Sequence, residues 1–313
     1  MNKSNYSDLT FCVADVCFRL VFRDVADARP YLPSYAPFHI VRKADSDSES
    51  LQPQSAPVMQ MTVGDGLVPF EGEGEELGQF DCGDINHGVY RLPQGGYLIL
   101  ISNLAGFPAC AVRCSADFAQ CEATLFGDED NRRFGLNNAI MIAYAFASAP
   151  SGIVLMHASV TMQGGHGYLF LGKSGTGKST HSSLWLRHIA GSDLLNDDNP
   201  AVRAFPDGNV RVYGTPWSGK TPCYRNLSVP VGAFLRLEQW PENIIARDSR
   251  LKAFASVLSS CSTMLWDKPS YDAIIRNVSA IAAATPAYYL KCRPDEAAAQ
   301  LSYKTIAVSA TAQ

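Results

Sequence analysis

Up to about residue 130 the apolar positions fall in short runs dense in β-branched and aromatic residues: "TFCVADVCFRLVF" (10–22), "FHIVRK" (38–43) and "YLILISN" (97–103). Runs of this kind, separated by Gly, Pro and Asp, predict strands. Two stretches between them, "ADSDSESLQPQSAP" (44–57) and "FEGEGEELGQFDCGD" (70–84), are acidic and polar and predict solvated loops. The period changes after "DEDNRR" (128–133). In "FGLNNAIMIAYAFAS" (134–148), Leu136, Ile140, Ala143 and Ala147 share one helical face. The expected organisation is therefore a β-rich N-terminal domain over 1–130 and an α/β domain over 135–313.

Beyond the boundary, strand and helix signals alternate. Strand "GIVLMHASV" (152–160) turns at "QGGHG" into strand "GYLFLG" (167–172), and the helix "KSTHSSLWLRHIA" (178–190) follows with Leu184, Trp185 and His188 facing inward. A strand pair around "PDGN" (206–209), the strand "VGAFLRL" (231–237), helices over 248–259 and 271–284, the strand "AYYLKC" (287–292) and a helix after Pro294 complete the pattern. Hairpins mixed with crossovers predict a mixed sheet in an α/β domain. Residues 139–156 carry no charge over a length that could suggest a membrane span, but "SAPSG" in their middle divides them into a helix end near Ser148 and a strand start near Ile153. No membrane association is expected.

Composition agrees with a folded chain: 313 residues, 47% hydrophobic and 18% charged. The net charge of −4 is unevenly spread, since residues 1–150 hold 10 Lys and Arg against 19 Asp and Glu, and the remainder 16 against 11. A modest basic excess suits an anionic ligand, and without a dense Lys/Arg run it gives no case for nucleic acid. Nine cysteines at irregular spacing do not read as a disulfide framework, so a reducing, cytoplasmic setting is expected. Cys110, Cys114 and Cys121 lack zinc-knuckle spacing and read as small core residues. "MNKSNYSDLTF" has no apolar core of a signal peptide.

The chemistry concentrates in "GKSGTGKS", Gly172 to Ser179, which matches G-x-x-x-x-G-K-[ST] in full, with an apolar strand before it and a helical run after it. Gly172, Gly175 and Gly177 let successive backbone N–H groups converge on phosphate oxygens, and the helix N-terminus adds partial positive charge. Ser174, Thr176 and Thr180 belong to the same cradle, with Lys173 and Ser174 at its solvent side. Lys178 would neutralise the β/γ-phosphates of ATP, and the Ser179 hydroxyl would ligate Mg²⁺. Downstream, "DLLNDD" (193–198) places Asp197 and Asp198 side by side after a short apolar strand, where two carboxylates could divide metal binding from activation of an acceptor. Ser179 and Asp198 are the expected metal ligands. The same "NDDNP" (196–200) also reads as a plain turn, since Asn, Asp and Pro favour turns. His157 lies on the strand before the loop, where a lone His is more often structural. "GTPWSGK" (214–220) reads either as a rigid loop closing over phosphates, with Lys220 supplying charge, or as a structural turn; Arg225 is a weaker candidate.

The order "HASV", "GKSGTGKST", "NDD" resembles the catalytic domain of HPr kinase/phosphorylase and its distant relative, the ATP-dependent phosphoenolpyruvate carboxykinase. "GTPWSGK", "FLRLEQWPEN" and "YYLKCRPDE" look similar to chains described as HPr kinase-related. The resemblance covers about residues 150–300. It implies a phosphoenolpyruvate carboxykinase/HPr kinase-like P-loop domain that binds ATP with Mg²⁺, a histidine, here His157, that assists the site, and paired aspartates, here Asp197 and Asp198, in metal binding and acceptor activation. Thr180 stands where bacterial HPr kinases have an acidic residue, and their downstream arginine-bearing phosphorylase motif is missing. The expected activity is transfer of the γ-phosphoryl group to a hydroxyl of a protein serine or a small molecule, by a chain for which a homo-oligomer is compatible. The rival is a non-catalytic ATP-binding switch.

Overall fold

The computed structural model describes residues 6–41, 56–81, 86–219 and 221–307. Lys220, most of the 44–57 stretch and the end of the 70–84 stretch lie outside the described residues. The chain divides into two compact units, Met1–Ser148 and Ala149–Gln313, and is mixed α/β with two mixed sheets.

The first unit contains β1 (Tyr6–Val13), β2 (Val16–Arg23), β3 (Met59–Val63), β4 (Glu75–Asp81), β5 (Asn86–Arg91), β6 (Tyr97–Ser102), β7 (Pro108–Cys114), β8 (Gln120–Leu125) and α1 (Glu129–Ala147). They form one sheet in the order β1-β2-β3-β8-β7-β6-β5-β4, with α1 lying on β7, β8, β6 and β3. The run at 10–22 is thus a hairpin that turns at Ala14 and Asp15, both with positive φ. Asp128 caps α1 by accepting from the Asn131 N–H at 3.0 Å. The four residues predicted to share a helical face are all buried. The helix expected to open the second domain therefore packs with the first unit, and the division falls after Ser148 instead of near residue 130.

Three further readings differ. Part of the acidic 70–84 stretch is the edge strand β4, whose Glu75 meets Arg91 of β5 at 3.0 Å; charge on an edge strand discourages pairing with other chains. Residues 38–41 make a single bridge, Phe11 to His39, and no strand. Cys12 and Cys17, directly opposed across the β1–β2 hairpin, form a disulfide that irregular spacing did not suggest. Cys110, Cys114 and Cys121 are buried, as small core residues should be, with the Cys114 and Cys121 sulfurs 3.2 Å apart.

The second unit contains β9 (Ile153–Leu155), β10 (Ala158–Gln163), β11 (His166–Leu171), α2 (Lys178–His188), β12 (Asp193–Asp198), β13 (Ala201–Ala204), β14 (Val210–Tyr213), β15 (Ser228–Gln239), β16 (Ile244–Arg247), α3 (Arg250–Leu258), α4 (Lys268–Ala284), β17 (Ala287–Cys292) and α5 (Glu296–Ile306). The strand order is β12-β10-β11-β15-β14-β13-β9, and β17 joins β15 with β16 outside it. β15 is long enough to serve both parts: its first residues pair with β14, and its later ones run parallel to β11 and β17. The β10–β11 hairpin closes through Gly164 and Gly165, both at positive φ, the geometry that matches strand twist. The predicted strand 152–160 is interrupted at Met156 and His157, so β9 pairs with β13 while β10 pairs with β11 and β12. No helix among the described residues is long and apolar enough to cross a membrane.

The core beneath the glycine loop packs Tyr168 and Phe170 of β11 against Trp185 of α2, Leu235 of β15 and Leu290 of β17. One buried hydroxyl organises its polar remainder. Ser302 Oγ of α5 accepts from Trp185 Nε1 at 2.9 Å, lies 3.0 Å from His181 Nε2, and donates to the Ala299 carbonyl at 2.9 Å. His181 is the inward histidine of α2, its pKa pushed down to about 4 by burial, whereas His188 is partly exposed and faces Glu296 at 3.5 Å. Ser302→Ala should strip both ring nitrogens of their partner and destabilise the chain by about 1–3 kcal/mol; an unchanged urea midpoint would show that water or another group replaces the hydroxyl.

Candidate phosphate-binding site

β11 delivers the chain to Gly172, and α2 begins at Lys178, so the six intervening residues must reverse direction tightly. Gly175 (φ 76°) and Gly177 (φ 104°) hold left-handed conformations that a side chain would strain. Thr176 closes the turn, its N–H and Oγ1 donating to the Lys173 carbonyl at 3.2 and 2.6 Å. Lys173 and Ser174 are exposed, and so are Ser179 and Thr180 at the first turn of α2. The backbone N–H groups at a helix start have no intrahelical partner and favour an anion. Lys178 is 9% exposed and folds back over the loop, its Nζ donating to the carbonyls of Gly172 at 3.1 Å and Lys173 at 3.3 Å. Burial lowers its pKa, opposed by the charges of Asp198 and Asp197.

β12 supplies those charges at its last two positions. Asp197, 4% exposed, accepts from Ser179 Oγ at 2.9 Å. Asp198 turns to His157, whose Nε2 lies 3.4 Å from Asp198 Oδ1, with both side chains partly exposed at 44% and 39%. The expected pairing of Ser179 with Asp198 as metal ligands is not the contact seen: the Ser179 hydroxyl meets Asp197, and Asp198 meets His157. The interruption after β9 matters here, because it places His157 at the head of β10, next to Ala158, the register partner of Asp198. Burial raises the Asp198 pKa, while His157 and Lys178 pull it back down. Asp198 also accepts from Asn199 Nδ2 at 2.9 Å, and its φ of 146° is one that residues with side chains rarely adopt.

The 214–219 segment holds that geometry. Gly219 N–H donates to the Asp197 carbonyl at 2.5 Å, and Ser218 bridges Asp198 across the strand edge. Buried Asn196 donates through Nδ2 to Thr215 Oγ1 at 3.1 Å and to the Trp217 carbonyl at 3.0 Å. A Cβ on Gly219 would lie 3.1 Å from both the Asp197 carbonyl oxygen and Asp198 Cβ, a contact that would require these neighbours to give by a few tenths of an ångström. Arg225 sits at the other end of β12, bonded to Asp193 at 2.5 Å and the Leu194 carbonyl at 2.6 Å, where it braces the strand.

Several contributors were not found from sequence. Arg236 follows in register from Leu171, the residue before the glycine loop, and its positive charge adds to the lowering of the Lys178 pKa. Its guanidinium bonds Ser256 Oγ at 2.7 Å, the Ser256 carbonyl at 2.6 Å, Ser259 Oγ at 2.7 Å and Ser260 Oγ at 3.0 Å, which fixes the end of α3. The Ser260 carbonyl in turn accepts from the His157 N–H at 2.7 Å. Ser159 of β10 and Ser182 of α2, 2.5 Å apart through their hydroxyls, pin the helix to the sheet. Gln239 Nε2 donates to the Gly175 carbonyl at 3.1 Å. The strand 231–237 is expected from sequence, but nothing there marks it as the neighbour of the loop-bearing strand, so no signal pointed to Arg236.

Mg²⁺ fits this donor set. Among the described residues no group of three His, Cys, Asp or Glu closes on a metal alone. Mg²⁺ bound through one or two carboxylates, with nucleotide phosphates and water completing its shell, needs no such cage. A cleft of about 690 Å³ lined by Asn103, Phe107, Phe126, Asn131 and neighbours lies wholly in the first unit and includes none of these residues. Comparison with protein-family models and with curated proteins returns no match.

The Asp198 carboxyl should titrate above the ordinary carboxylate range in ¹³C NMR of the metal-free chain. His157→Gln, which removes the imidazole 3.4 Å away that holds this pKa down, should move it higher still. A titration in the ordinary range, or a downward shift in the variant, would contradict the electrostatic description.

Proposed function

We propose that the chain is an ATP- and Mg²⁺-dependent phosphotransferase with a phosphoenolpyruvate carboxykinase/HPr kinase-like P-loop domain, transferring the γ-phosphoryl group to an acceptor hydroxyl. The observation that carries this reading is the separation of the two carboxylates: Asp197 on Ser179, Asp198 on His157. A site that only bound nucleotide would need the first pair and not the second.

In this reading the loop N–H groups and Lys178 hold the phosphates, and Lys178 leaves its carbonyl partners for the β/γ-oxygens. Ser179 and Asp197 would hold Mg²⁺, which neutralises charge on the phosphates when bound. Asp198 takes the proton of the acceptor hydroxyl as that oxygen bonds to the γ-phosphorus and the bond to the β-phosphate oxygen breaks. A pKa raised by burial suits a base that must accept a proton near neutrality. His157 orients Asp198 and restrains that rise. The acceptor is a hydroxyl compound, either a protein serine or a small molecule.

Labelled ATP incubated with the intact chain and candidate hydroxyl compounds, followed by mass spectrometry, tests the transfer itself. Lys178→Ala should lower MgATP affinity or turnover by about 10²-fold or more. Asp198→Asn should lower turnover by about 10²-fold or more with MgATP affinity kept, while Asp197→Asn should weaken MgATP binding as well. Nucleotide-dependent partner binding without phosphorylated product, and with both Asn variants still responsive to nucleotide, would replace the transferase reading with that of a binding switch.

A further inference from the structure

We propose that the cleft beside the first turn of α1 is a docking surface for a protein partner that presents a large apolar side chain next to a lysine or arginine. It uses no residue of the glycine loop and so stands apart from the nucleotide reading.

The cleft, about 690 Å³, lies where the β6–β7 turn, the end of β8 and the start of α1 meet. Its apolar lining is aromatic: Phe107, Phe126 and Phe134, with Pro108. Phe107 is 64% exposed, and Leu104 in the same turn is 75% exposed. The turn that carries them is tied down. Asn103 Oδ1 accepts from the Ala105 and Phe107 N–H groups, each at 3.0 Å, and the Asn103 N–H donates to the Phe107 carbonyl at 2.9 Å. Asn103 Nδ2 donates in turn to Asn131 Oδ1 of α1 at 2.7 Å, and Asn131 Nδ2 reaches the Pro108 and Phe126 carbonyls at 2.7 and 2.9 Å. Phe126 is braced by Phe70, edge to face with ring centroids 5.4 Å apart. An aromatic surface fixed in advance loses little conformational freedom when a partner binds, and contiguous exposed apolar surface marks an interaction site.

Charge selects the partner. Among the described residues that line the cleft, the charged ones are Asp128 and Asp130, and none is basic. The neighbouring arginines are engaged elsewhere: Arg132 donates to the Gly127 carbonyl at 3.0 Å and faces Asp65 at 3.9 Å, and Arg133 meets Glu129 at 2.5 Å. Arg133 comes no nearer than 3.9 Å to Asp130, whose side chain stays 95% exposed. A second copy of the same surface would set these carboxylates against their own kind, which disfavours a symmetric pair. None of the lining residues holds a buried side-chain polar atom without a partner, so nothing here specifies a compact polar ligand. A peptide segment meets the requirements: it can place an apolar side chain among the rings and a cation beside Asp130, and leave its backbone in water.

Random short peptides displayed on phage, selected on the intact chain and counter-screened on Phe107→Ala, test this. Enriched sequences should carry a large apolar residue with an adjacent Lys or Arg. In fluorescence anisotropy, a synthetic peptide of enriched sequence should bind Phe107→Ala about tenfold or more weakly and Asp130→Lys several-fold more weakly, and its affinity for wild type should fall as salt rises. Both substituted side chains are largely in water, so both variants should melt with wild type, which separates lost binding from lost folding. No sequence enriched on wild type over Phe107→Ala, or enriched sequences without a basic residue, would overturn the proposal. So would light scattering that shows a wild-type dimer broken by Phe107→Ala, which would give the surface to a second copy.

Discussion

Two adjacent carboxylates with different partners define the candidate site, and the left-handed backbone of the second is what separates them. At the end of β12, Asp197 points to Ser179 at the start of α2, and Asp198 points to His157 at the head of β10. Each partner is brought there by a separate feature of the fold: a glycine turn that starts a helix, and a strand that breaks off after Leu155 and resumes at Ala158. The 214–219 segment clamps the result, bonding the Asp197 carbonyl and the buried Asn196 while Asp198 keeps a φ of 146°. Backbone strain kept in place by surrounding bonds is typical of sites where geometry matters more than stability.

Electrostatics and packing meet at Lys178. Burial penalises its charge, Asp198 and Asp197 favour it, and Arg236 opposes it from β15. Its present partners are two backbone carbonyls of the loop. An incoming polyphosphate would offer full negative charge in their place and relieve the burial penalty, a stronger match for an ammonium than carbonyl dipoles. Arg236 is tied through three serines to the end of α3, and Ser260 ties that end to His157. Arg236 and the backbone of residues 260–262, whose Ser262 N–H donates to the Leu155 carbonyl at 3.1 Å, together hold that end beside His157.

Local signals were readable wherever a motif and its flanking elements coincide. The strand, turn and helix around Gly172–Lys178 follow from apolar runs and glycine spacing, and so do the β10–β11 hairpin, β17 and α5. What sequence could not supply was pairing. Nothing in "GIVLMHASV" marks the interruption at Met156 and His157, because every residue there suits a strand; the break is imposed by β9 and β10 having different neighbours. The periodicity of α1 identified a helix and its buried face but not the sheet it would cover. The charged composition of Glu75 and Glu76 concealed an edge strand, since edge positions tolerate charge. "NDD" announced two carboxylates without revealing which would meet Ser179, since that depends on where β12 pairs with β10.

A crystal structure with Mg²⁺ and a non-hydrolysable ATP analogue tests the division of labour between the carboxylates most directly. The metal is expected between the nucleotide phosphates and the Ser179–Asp197 pair, with Asp198 free of the metal and open beside the γ-phosphate, still facing His157. Asp198 on the metal with Asp197 turned away, or the nucleotide bound elsewhere, would contradict it.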